Sequence, residues 1–370
     1  MNEFPFDATN SSNPWLMKCV GDPITGPTGD LLSPDYIWSL KGNERVLLVE
    51  WLLKYYRDKG YPYFHATDDE LKSDFAALAK KDPKDVVSDG VIKNSATVGS
   101  KIAKHFTDDL FSCTRGRKQM SCVEAFNDDE TLRFVLKNRM GWNTTTEGGS
   151  LRPYVFGIND KMICQGLRSS AKGFVTSNFK PLIAKYVYDK YNVKKTIDYS
   201  CGWGARCAAA LSLGIEYYGI DPLTFERINK IINYFGGKGF AVFGASEEVD
   251  YSLFPDVDMA CSCPPYFDLE VYSENKRQSS SYILYEDWLT KYWQETVKRC
   301  YEKCKYFAFI AVENVGKHEL LEDMRNICSR EGGSAVEDTL ISVSRGHLSG
   351  KAKTKQVCKK TEHLIVLEVK

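Results

Sequence analysis

The chain has 370 residues, enough for one large domain and a smaller second one. Hydrophobic residues make up 43% and charged residues 26%, as expected of an ordinary globular protein. The 49 Lys and Arg residues balance the 49 Asp and Glu residues, so the net charge argues neither for nor against a nucleic-acid partner. No apolar run approaches the length of a membrane span, and the start of the chain carries no secretory signal. We therefore expect a soluble cytoplasmic protein.

The 12 cysteines and 5 histidines do not show the spacing of metal ligands. A zinc site needs ligand pairs at short spacing, and the chain has no Cys-x-x-Cys pair. Cys300 and Cys304 lie four residues apart on a predicted helix, where two buried small hydrophobic residues explain them better than half a metal site does. We expect free thiols and no metal.

Residues 1–150 are predicted to form a mainly helical domain. After an irregular start, apolar residues recur at helical spacing, and acidic residues precede two of the segments as helix caps. The predicted helices are Glu44–Tyr56, Leu71–Lys81, Val98–His105 and Thr131–Asn138. This domain is the candidate for recognition of a target sequence.

Residues 151–370 alternate between predicted strands and helices, which is typical of an α/β sheet. The predicted helices are Pro181–Tyr191, Ala205–Leu213, Phe225–Phe235, Tyr285–Lys303 and Lys317–Arg330. The predicted strands are Thr196–Tyr199, Tyr217–Ile220, Gly239–Phe243, Val257–Cys261, Tyr306–Val312, Leu340–Val343 and Leu364–Val369. This order predicts a doubly wound sheet of seven strands, with ligands bound at the carboxyl ends of the strands.

The first motif that carries chemistry is Thr-Ile-Asp-Tyr-Ser-Cys-Gly-Trp-Gly at residues 196–204. Gly202 and Gly204 allow the backbone to approach a ligand closely, and the following helix presents free N–H groups. Asp198 ends the first strand, and Asp221 follows Gly202 at a distance that suits a ribose-binding carboxylate. The bulky Trp203 and the missing third glycine favour an adenosyl group over a dinucleotide.

The second motif is Cys263-Pro264-Pro265-Tyr266, at the end of another predicted strand. Two prolines fix the backbone and withhold N–H donors, so their carbonyl groups remain free to accept hydrogen bonds from an amine. Acceptors on both hydrogens of an exocyclic amine stabilise the charge that develops when the nitrogen attacks a methyl group. The ring of Tyr266 can stack on a flipped base.

Together and in this order, the two motifs resemble the S-adenosylmethionine-dependent amino methyltransferases of DNA, in their phage-like branch. The similarity covers roughly residues 151–370 and continues through Leu269–Tyr272, Gln278-Ser279 and Tyr285-x-x-Trp288. It implies a class I methyltransferase fold with S-adenosylmethionine as cofactor and DNA as partner. It also allows a virus or phage as the source of the chain.

The resemblance implies a role for each matching residue. Asn178, in a segment that closes over the methionine end of the cofactor in the family, is equally well explained as a helix cap. Ser246 or its neighbour Glu247 would lie near the adenine of the cofactor. The residues implied for cofactor binding are Asn178, Asp198, Ser200, Gly202, Gly204, Asp221 and Ser246.

The catalytic residues implied are Cys263, Pro264, Pro265 and Tyr266, with one departure from the family. The family places Asp, Asn or Ser where Cys263 stands, and a thiol is a weak acceptor, so the family's side-chain hydrogen bond is in doubt. Ring-carbon methylation by a cysteine nucleophile is not favoured, because that chemistry places its cysteine after a proline.

Basic residues outside the two motifs are candidates for contacts with DNA phosphates. Lys276 and Arg277 follow the Pro-Pro corner, and a run from Ser342 to Lys360 contains no acidic residue. Residues 115–118 form a second basic patch, although such runs are often only solvated. The candidate nucleic-acid-binding residues are Lys276, Arg277, Arg345, Lys351 and Lys353.

The sequence therefore predicts transfer of a methyl group to the exocyclic amine of adenine, or as the less favoured target cytosine, in DNA. Two alternatives remain open: methylation of RNA or of a protein side-chain amide, and a catalytically silent nucleic-acid-binding relative, which the departure at Cys263 suggests.

Overall fold

The computed structural model describes residues 42–114, 119–140, 158–169, 171, 173–272, 278, 281–342 and 361–370. Two compact units divide the chain, residues 1–64 with 111–176 and residues 65–110 with 177–370. The predicted domain boundary between residues 150 and 151 falls outside the described residues.

The described helices are α1 (Gly42–Lys59), α2 (Asp68–Lys80), α3 (Ser100–Phe106), α4 (Cys122–Asn127), α5 (Asp129–Arg139), α6 (Asp160–Ser169), α7 (Pro181–Lys190), α8 (Ala205–Ser212), α9 (Phe225–Tyr234), α10 (Tyr285–Asp287), α11 (Gln294–Tyr301) and α12 (Leu320–Arg330). A π-helical segment, Trp288–Trp293, joins α10 to α11. Short 3₁₀ helices are Pro83–Val86, Asp108–Phe111 and Tyr251–Leu253.

The described strands are β1 (Val87–Ser88), β2 (Val91–Lys93), β3 (Lys195–Asp198), β4 (Glu216–Ile220), β5 (Gly239–Val242), β6 (Val257–Ser262), β7 (Cys304–Val312), β8 (Gly333–Ser342) and β9 (Thr361–Val369). They form one sheet in the order β1-β2-β8-β9-β7-β6-β3-β4-β5. Strands β3 to β7 run parallel to their neighbours in that group, and β9 is antiparallel to both β7 and β8.

This strand order, with one antiparallel strand inserted beside β7, is the class I methyltransferase fold, as the sequence predicts. All seven predicted strands are present. The predicted count of seven is wrong, because β1 and β2 extend the sheet to nine strands. These two strands have two and three residues, too few to show a strand period in the sequence.

The two faces of the sheet are covered by different helices, as in a doubly wound fold. On β7, Ala308 and Ile310 point to a core built with α7, α8 and α9. Phe307 and Phe309 point to the opposite core, which contains the π-helical segment, α11 and α12. Successive strand residues face opposite sides, so this buried strand is apolar at nearly every position.

The segment 65–110 belongs to the same compact unit as the sheet. The buried Lys185 of α7 shows how it is attached: its ammonium group donates to the carbonyl oxygens of Leu78, Ala79 and Lys81 at 2.7–2.8 Å. These carbonyls lie at the end of α2, where a helix lacks internal donors and favours a cation.

The other compact unit has its own apolar core, which includes Leu52 and Tyr56 of α1 and Leu136 of α5. Helices α4 and α6, which the sequence reasoning missed, also contribute to it. Helix α4 has six residues, fewer than two turns, and this leaves little periodic signal.

Candidate active site

Strand β3 ends at Asp198, whose fully buried carboxylate organises the first corner of the site. Its Oδ2 atom accepts hydrogen bonds from Arg206 Nε at 2.8 Å and from the Tyr217 hydroxyl at 2.7 Å. Its Oδ1 atom accepts from Arg206 Nη2 at 3.1 Å, the Ser262 hydroxyl at 2.8 Å and the Ser200 backbone N–H at 3.3 Å. A carboxylate offers about four lone-pair positions, so groups of the protein itself fill the acceptor capacity of Asp198.

Arg206, in the first turn of α8, is the residue of this corner that the sequence reasoning missed. Its side chain is buried, and Nη2 also donates to the Ser200 carbonyl oxygen. Burial lowers the pKa of Arg206, but Asp198 raises it by more, so the guanidinium stays charged. The one signal for Arg206 in the sequence is its place as a lone charged residue among the small apolar residues of α8, since a buried charge needs a partner, but this signal does not identify Asp198 as that partner.

The glycine turn between β3 and α8 has the backbone conformations that its glycines permit. Gly202 has φ +53° and Gly204 has φ +78°. At Gly204 a Cβ atom would lie 2.5 Å from the Cδ1 atom of Ile231, so any other residue would have to displace that side chain and also adopt a strained positive φ. At Gly202 a Cβ would lie 3.9 Å from both Arg206 Nη2 and the Ser200 carbonyl oxygen, an ordinary van der Waals separation, so the positive φ is what favours glycine there. The Thr224 hydroxyl fixes the turn by donating to the Gly202 carbonyl at 2.6 Å.

Asp221 lies directly after β4 and faces the same turn. Its Oδ2 accepts from the Gly202 backbone N–H at 3.0 Å, and Oδ1 accepts from the backbone N–H groups of Leu223 and Thr224 at 2.8 and 2.9 Å. Burial raises the pKa of Asp221, and these three donors oppose that rise. Three of about four acceptor positions are filled, which leaves capacity for one further donor such as a ribose hydroxyl.

Asn178 lies three residues before α7 and does not cap it. The N-cap of α7 is Lys180, without a side-chain hydrogen bond. The alternative role of Asn178 as a helix cap is therefore wrong, because Pro181 begins the helix two residues too late for it. Both the Oδ1 and the Nδ2 atoms of Asn178 are buried, and neither has a hydrogen-bond partner among the residues that the structure describes. Orphaned polar atoms of this kind are costly unless a ligand pairs with them.

After β5, Ser246 and Glu247 lie side by side but differ in what they can offer. The buried Ser246 hydroxyl is paired with the Thr296 hydroxyl at 2.7 Å. Glu247 accepts from the Tyr282 hydroxyl at 3.2 Å, while its Oε2 atom is buried and has no partner in the described part of the chain. Burial raises the pKa of Glu247 to about 7. Glu247 is therefore better placed than Ser246 to pair with a ligand.

The second corner follows β6 directly. Ser262, the last residue of β6, donates to Asp198, and Cys263 begins the Pro-Pro turn. The Cys263 sulfur lies 3.3 Å from the Tyr266 hydroxyl, which also donates to the Ile310 carbonyl at 3.3 Å. Burial, and then the charge of Glu362, raise the pKa of Cys263 to about 12. The group at this position is thus a neutral thiol, which is a poor nucleophile.

The backbone of the second corner remains open. Among the described residues, the carbonyl oxygens of Cys263 and Pro264 accept no backbone hydrogen bond. Tyr266 is held by its hydroxyl group, and its ring stacks on no other aromatic ring in the described part of the chain. The corner therefore offers carbonyl acceptors and an aromatic face.

Phe267, the residue after Tyr266, is held in a strained conformation. Its φ is +52°, which is rare for a bulky residue. Its buried ring packs edge-on against Tyr285, Trp288 and His318, with centroid distances of 5.4–6.3 Å. These contacts fix the end of the corner, which agrees with the observation that strained backbone concentrates at functional sites.

The two corners lie at the same edge of the sheet, because β3 and β6 are adjacent parallel strands. Thr196 pairs with Met259, and Ile197 pairs with Ala260. Both strands therefore end side by side, and the Ser262–Asp198 hydrogen bond links their ends. A group held at the glycine turn and a group held at Cys263 would be neighbours.

The predicted nucleic-acid-binding residues Lys276, Arg277, Arg345, Lys351 and Lys353 lie outside the described residues, as does the basic patch 115–118. Within the described ranges, no three His, Cys, Asp or Glu side chains cluster in a way that suits a metal ion. Among the helices of the described chain, none is long and apolar enough to span a membrane.

Comparisons with known proteins give a fold likeness only. No protein-family model and no curated protein matches the chain. Similar solved structures include TrmN from Thermus thermophilus, at 11% identity and TM-score 0.36, covering 83% of this chain and 80% of that one. A TehB-like SAM-dependent methyltransferase from Corynebacterium glutamicum matches at 13% identity and TM-score 0.35, covering 55% of this chain and 92% of that one. A candidate RNA methyltransferase from Pyrococcus horikoshii matches at 14% identity and TM-score 0.36, covering 51% and 82%. Likenesses this distant do not define a substrate.

Proposed function

We propose that this protein transfers a methyl group from S-adenosylmethionine to the exocyclic amine of adenine in DNA, with the cytosine amine as the less favoured target. The observation that carries the proposal is the adjacency of the two corners, at the ends of β3 and β6. A cofactor on the glycine turn and an amine on the Pro-Pro corner would meet there, as methyl transfer requires.

The residues around the glycine turn fit an adenosyl cofactor. Asp221 has one acceptor position left for a ribose hydroxyl, and Gly202 presents no side chain that would keep the ligand from the backbone of the turn. Glu247 has a buried oxygen without a partner on the side expected for the adenine, and Asn178 has two such atoms on the side expected for the methionine. Ser200 and Gly204 shape the turn, and Ser246 supports the pocket wall through Thr296.

When bound, the cofactor supplies an electrophilic methyl group, and the chain itself orients the acceptor amine. The carbonyl oxygens of Cys263 and Pro264 would accept from the two amine hydrogens and stabilise the positive charge that develops on the nitrogen. Pro264 and Pro265 hold these carbonyls in place, and the ring of Tyr266 would stack on the flipped base. The protonated Cys263 thiol takes no covalent part.

The role of DNA rests on further proposals about residues outside the described part of the chain. Lys276 and Arg277 would contact phosphate beside the corner, and Arg345, Lys351 and Lys353 would do so from the segment between β8 and β9. The compact unit that contains α1 and α4–α6 would contribute recognition of the target sequence.

The proposal is tested by incubating the protein with tritiated S-adenosylmethionine and DNA, RNA or protein. Label in DNA, located on the adenine amine by nucleoside analysis, is the expected result. Asp221→Ala should abolish the transfer, while Asp256→Ala, which truncates an exposed carboxylate away from the turn, should not. Label only in RNA or protein would exclude DNA as the substrate. Cofactor binding without any methyl transfer would indicate a catalytically silent nucleic-acid-binding protein.

A further inference from the structure

The Pro-Pro corner, residues 263–266, carries no charged side chain of its own. When an exocyclic amine attacks, its lone pair forms the new N–C bond, and the S–C bond breaks with its electron pair left on sulfur. The nitrogen then carries a positive charge until it releases a proton to water. Backbone carbonyls stabilise this charge as dipoles, and a nearby carboxylate would stabilise it further. The rest of the sheet was therefore searched for a carboxylate that borders the corner.

Glu362, at the start of β9, lies at the same end of the sheet as the corner. Strand β9 is antiparallel to β7, and Glu362 pairs with Val312, the last residue of β7. Strand β7 is parallel to β6, with Ser262 opposite Phe309. The start of β9 therefore meets the carboxyl ends of β6 and β7, where the corner begins.

Glu362 also faces the same side of the sheet as Cys263. Ile310 and Leu364 pair with each other and are buried in one apolar core, and Cys263 packs against that core. Strand residues two apart face the same side, so Glu362 lies on this face, about 7 Å along β9 from Leu364. Tyr266 reaches the same row, because its hydroxyl donates to the Ile310 carbonyl at 3.3 Å. Glu362 is thus one step beyond the row that holds the corner.

The charge of Glu362 acts on both polar side chains of the corner. Burial raises the pKa of the Cys263 thiol most, and Glu362 raises it further. Burial, the Cys263 thiol and then Glu362 raise the pKa of the Tyr266 hydroxyl. Glu270 adds to the effect on the thiol, whereas the Arg206 guanidinium opposes it. A carboxylate that disfavours an anion at this place favours a cation there.

We propose that Glu362 supplies, from β9, the negative charge that the Pro-Pro corner lacks, and that this charge stabilises the positive charge developing on the substrate amine. This inference rests on the proposed function. An aspartate at position 263 would place such a charge inside the corner itself. With Glu362 on the adjoining strand, the corner can carry the neutral Cys263 thiol at that position and still favour the attack.

The test compares single-turnover methyl transfer to DNA by the wild type and by Glu362→Gln, which removes the charge and keeps the shape. We expect the rate to fall about 10- to 100-fold, as loss of one charge from a partly desolvated site allows. Affinity for DNA and for S-adenosylhomocysteine should stay within about threefold. Glu368→Gln, on the same face at the other end of β9, is the matched control and should keep the wild-type rate. Equal rates for the wild type and Glu362→Gln would overturn the inference. Absence of transfer by the wild type would instead overturn the proposed function.

Rescue from a second position separates the charge of Glu362 from a structural role. Cys263→Asp in the Glu362→Gln background places the missing charge inside the corner and should recover at least about a third of the wild-type rate. In the wild-type background, the same substitution sets two carboxylates side by side, and their repulsion limits the gain. The gain should therefore be at least about threefold larger in the Glu362→Gln background. Equal gains in both backgrounds would show that the two positions act independently and would contradict the proposal.

Discussion

The two corners of the candidate site are built in opposite ways. At the end of β3, every oxygen of Asp198 is paired, and the network includes a buried ion pair with Arg206. At the end of β6, the Tyr266 hydroxyl contacts the Cys263 thiol and the Ile310 carbonyl, and the carbonyl groups of Cys263 and Pro264 accept no backbone hydrogen bond among the described residues. The first corner is therefore preorganised by the protein, and the second presents unpaired acceptors to a ligand.

The largest effect should come from breaking the network of the first corner. Asp198→Ala leaves the buried guanidinium of Arg206 without its partner, and we expect a loss of about 3–5 kcal/mol in the free energy of unfolding. Urea unfolding followed by circular dichroism measures this loss. Cys263→Ala, at the open corner, should cost only about 1 kcal/mol.

The paired change Asp198→Asn with Arg206→Met is the control for that prediction. Because it removes both charges, it should recover most of the stability that Asp198→Ala loses. Equal losses at Asp198 and Cys263 would refute the contrast between the two corners.

The second corner should show its importance in substrate binding rather than in stability. Tyr266→Ala removes the stacking face, and base–aromatic stacking is worth about 1–3 kcal/mol, so KM for DNA should rise about 5- to 100-fold. Tyr266→Phe keeps the ring, loses the hydroxyl contacts with Cys263 and Ile310, and should remain near wild type in steady-state kinetics. Abundant turnover by the alanine variant at low DNA concentration would rule out stacking.

The sequence predicts much of the fold and the positions of the two corners, but it does not predict all the contacts that distinguish them. The seven long strands and the glycine turn carry strong local signals, so the fold class and the place of both corners were predictable. The pairing of Asp198 with Arg206 was not predictable, because tertiary packing brings the two side chains together. Strands β1 and β2 are too short for a periodic signal. The role of Asn178 was left open, since only the position of Lys180 at the start of α7 excludes the cap. The functional roles of the site residues stay predictions.

A smaller effect is expected at Glu247, which follows β5 and is proposed to lie near the adenine of the cofactor. Its pKa is raised to about 7 by burial, so the folded state binds a proton that the unfolded state has already lost. The stabilisation that comes from proton binding by Glu247 is fully present below the ordinary glutamate pKa. It is lost as the pH rises through about 7. Because the side chain is partly exposed, we expect a change of roughly 1–2 kcal/mol between pH 4 and pH 8.

The measurement is urea unfolding across that pH range. Glu247→Gln cannot titrate and should lack this component, while Glu226→Gln on the first turn of α9 should retain it. Identical pH profiles for wild type and Glu247→Gln would show that Glu247 keeps an ordinary pKa.

The smallest effect on activity is expected when Cys263 is replaced by a residue whose side chain accepts a hydrogen bond from the substrate amine. Cys263→Asp places a carboxylate where the DNA amino methyltransferases that the sequence resembles carry Asp, Asn or Ser, and one charged hydrogen bond should preserve kcat or raise it by up to about tenfold. Cys263→Ala should stay within about threefold of wild type if the backbone carbonyls suffice. Single-turnover methyl transfer separates this effect from DNA binding, and a large loss in Cys263→Ala would assign catalysis to the thiol.

The most direct test of the account is a crystal structure of the protein with bound S-adenosylhomocysteine. We predict that its ribose lies against Asp221, its methionine end toward Asn178, and its sulfur toward the carbonyl groups of Cys263 and Pro264. A ligand that leaves the glycine turn empty, or one whose sulfur points away from the end of β6, would contradict the claim that methyl donor and amine meet between these two strands.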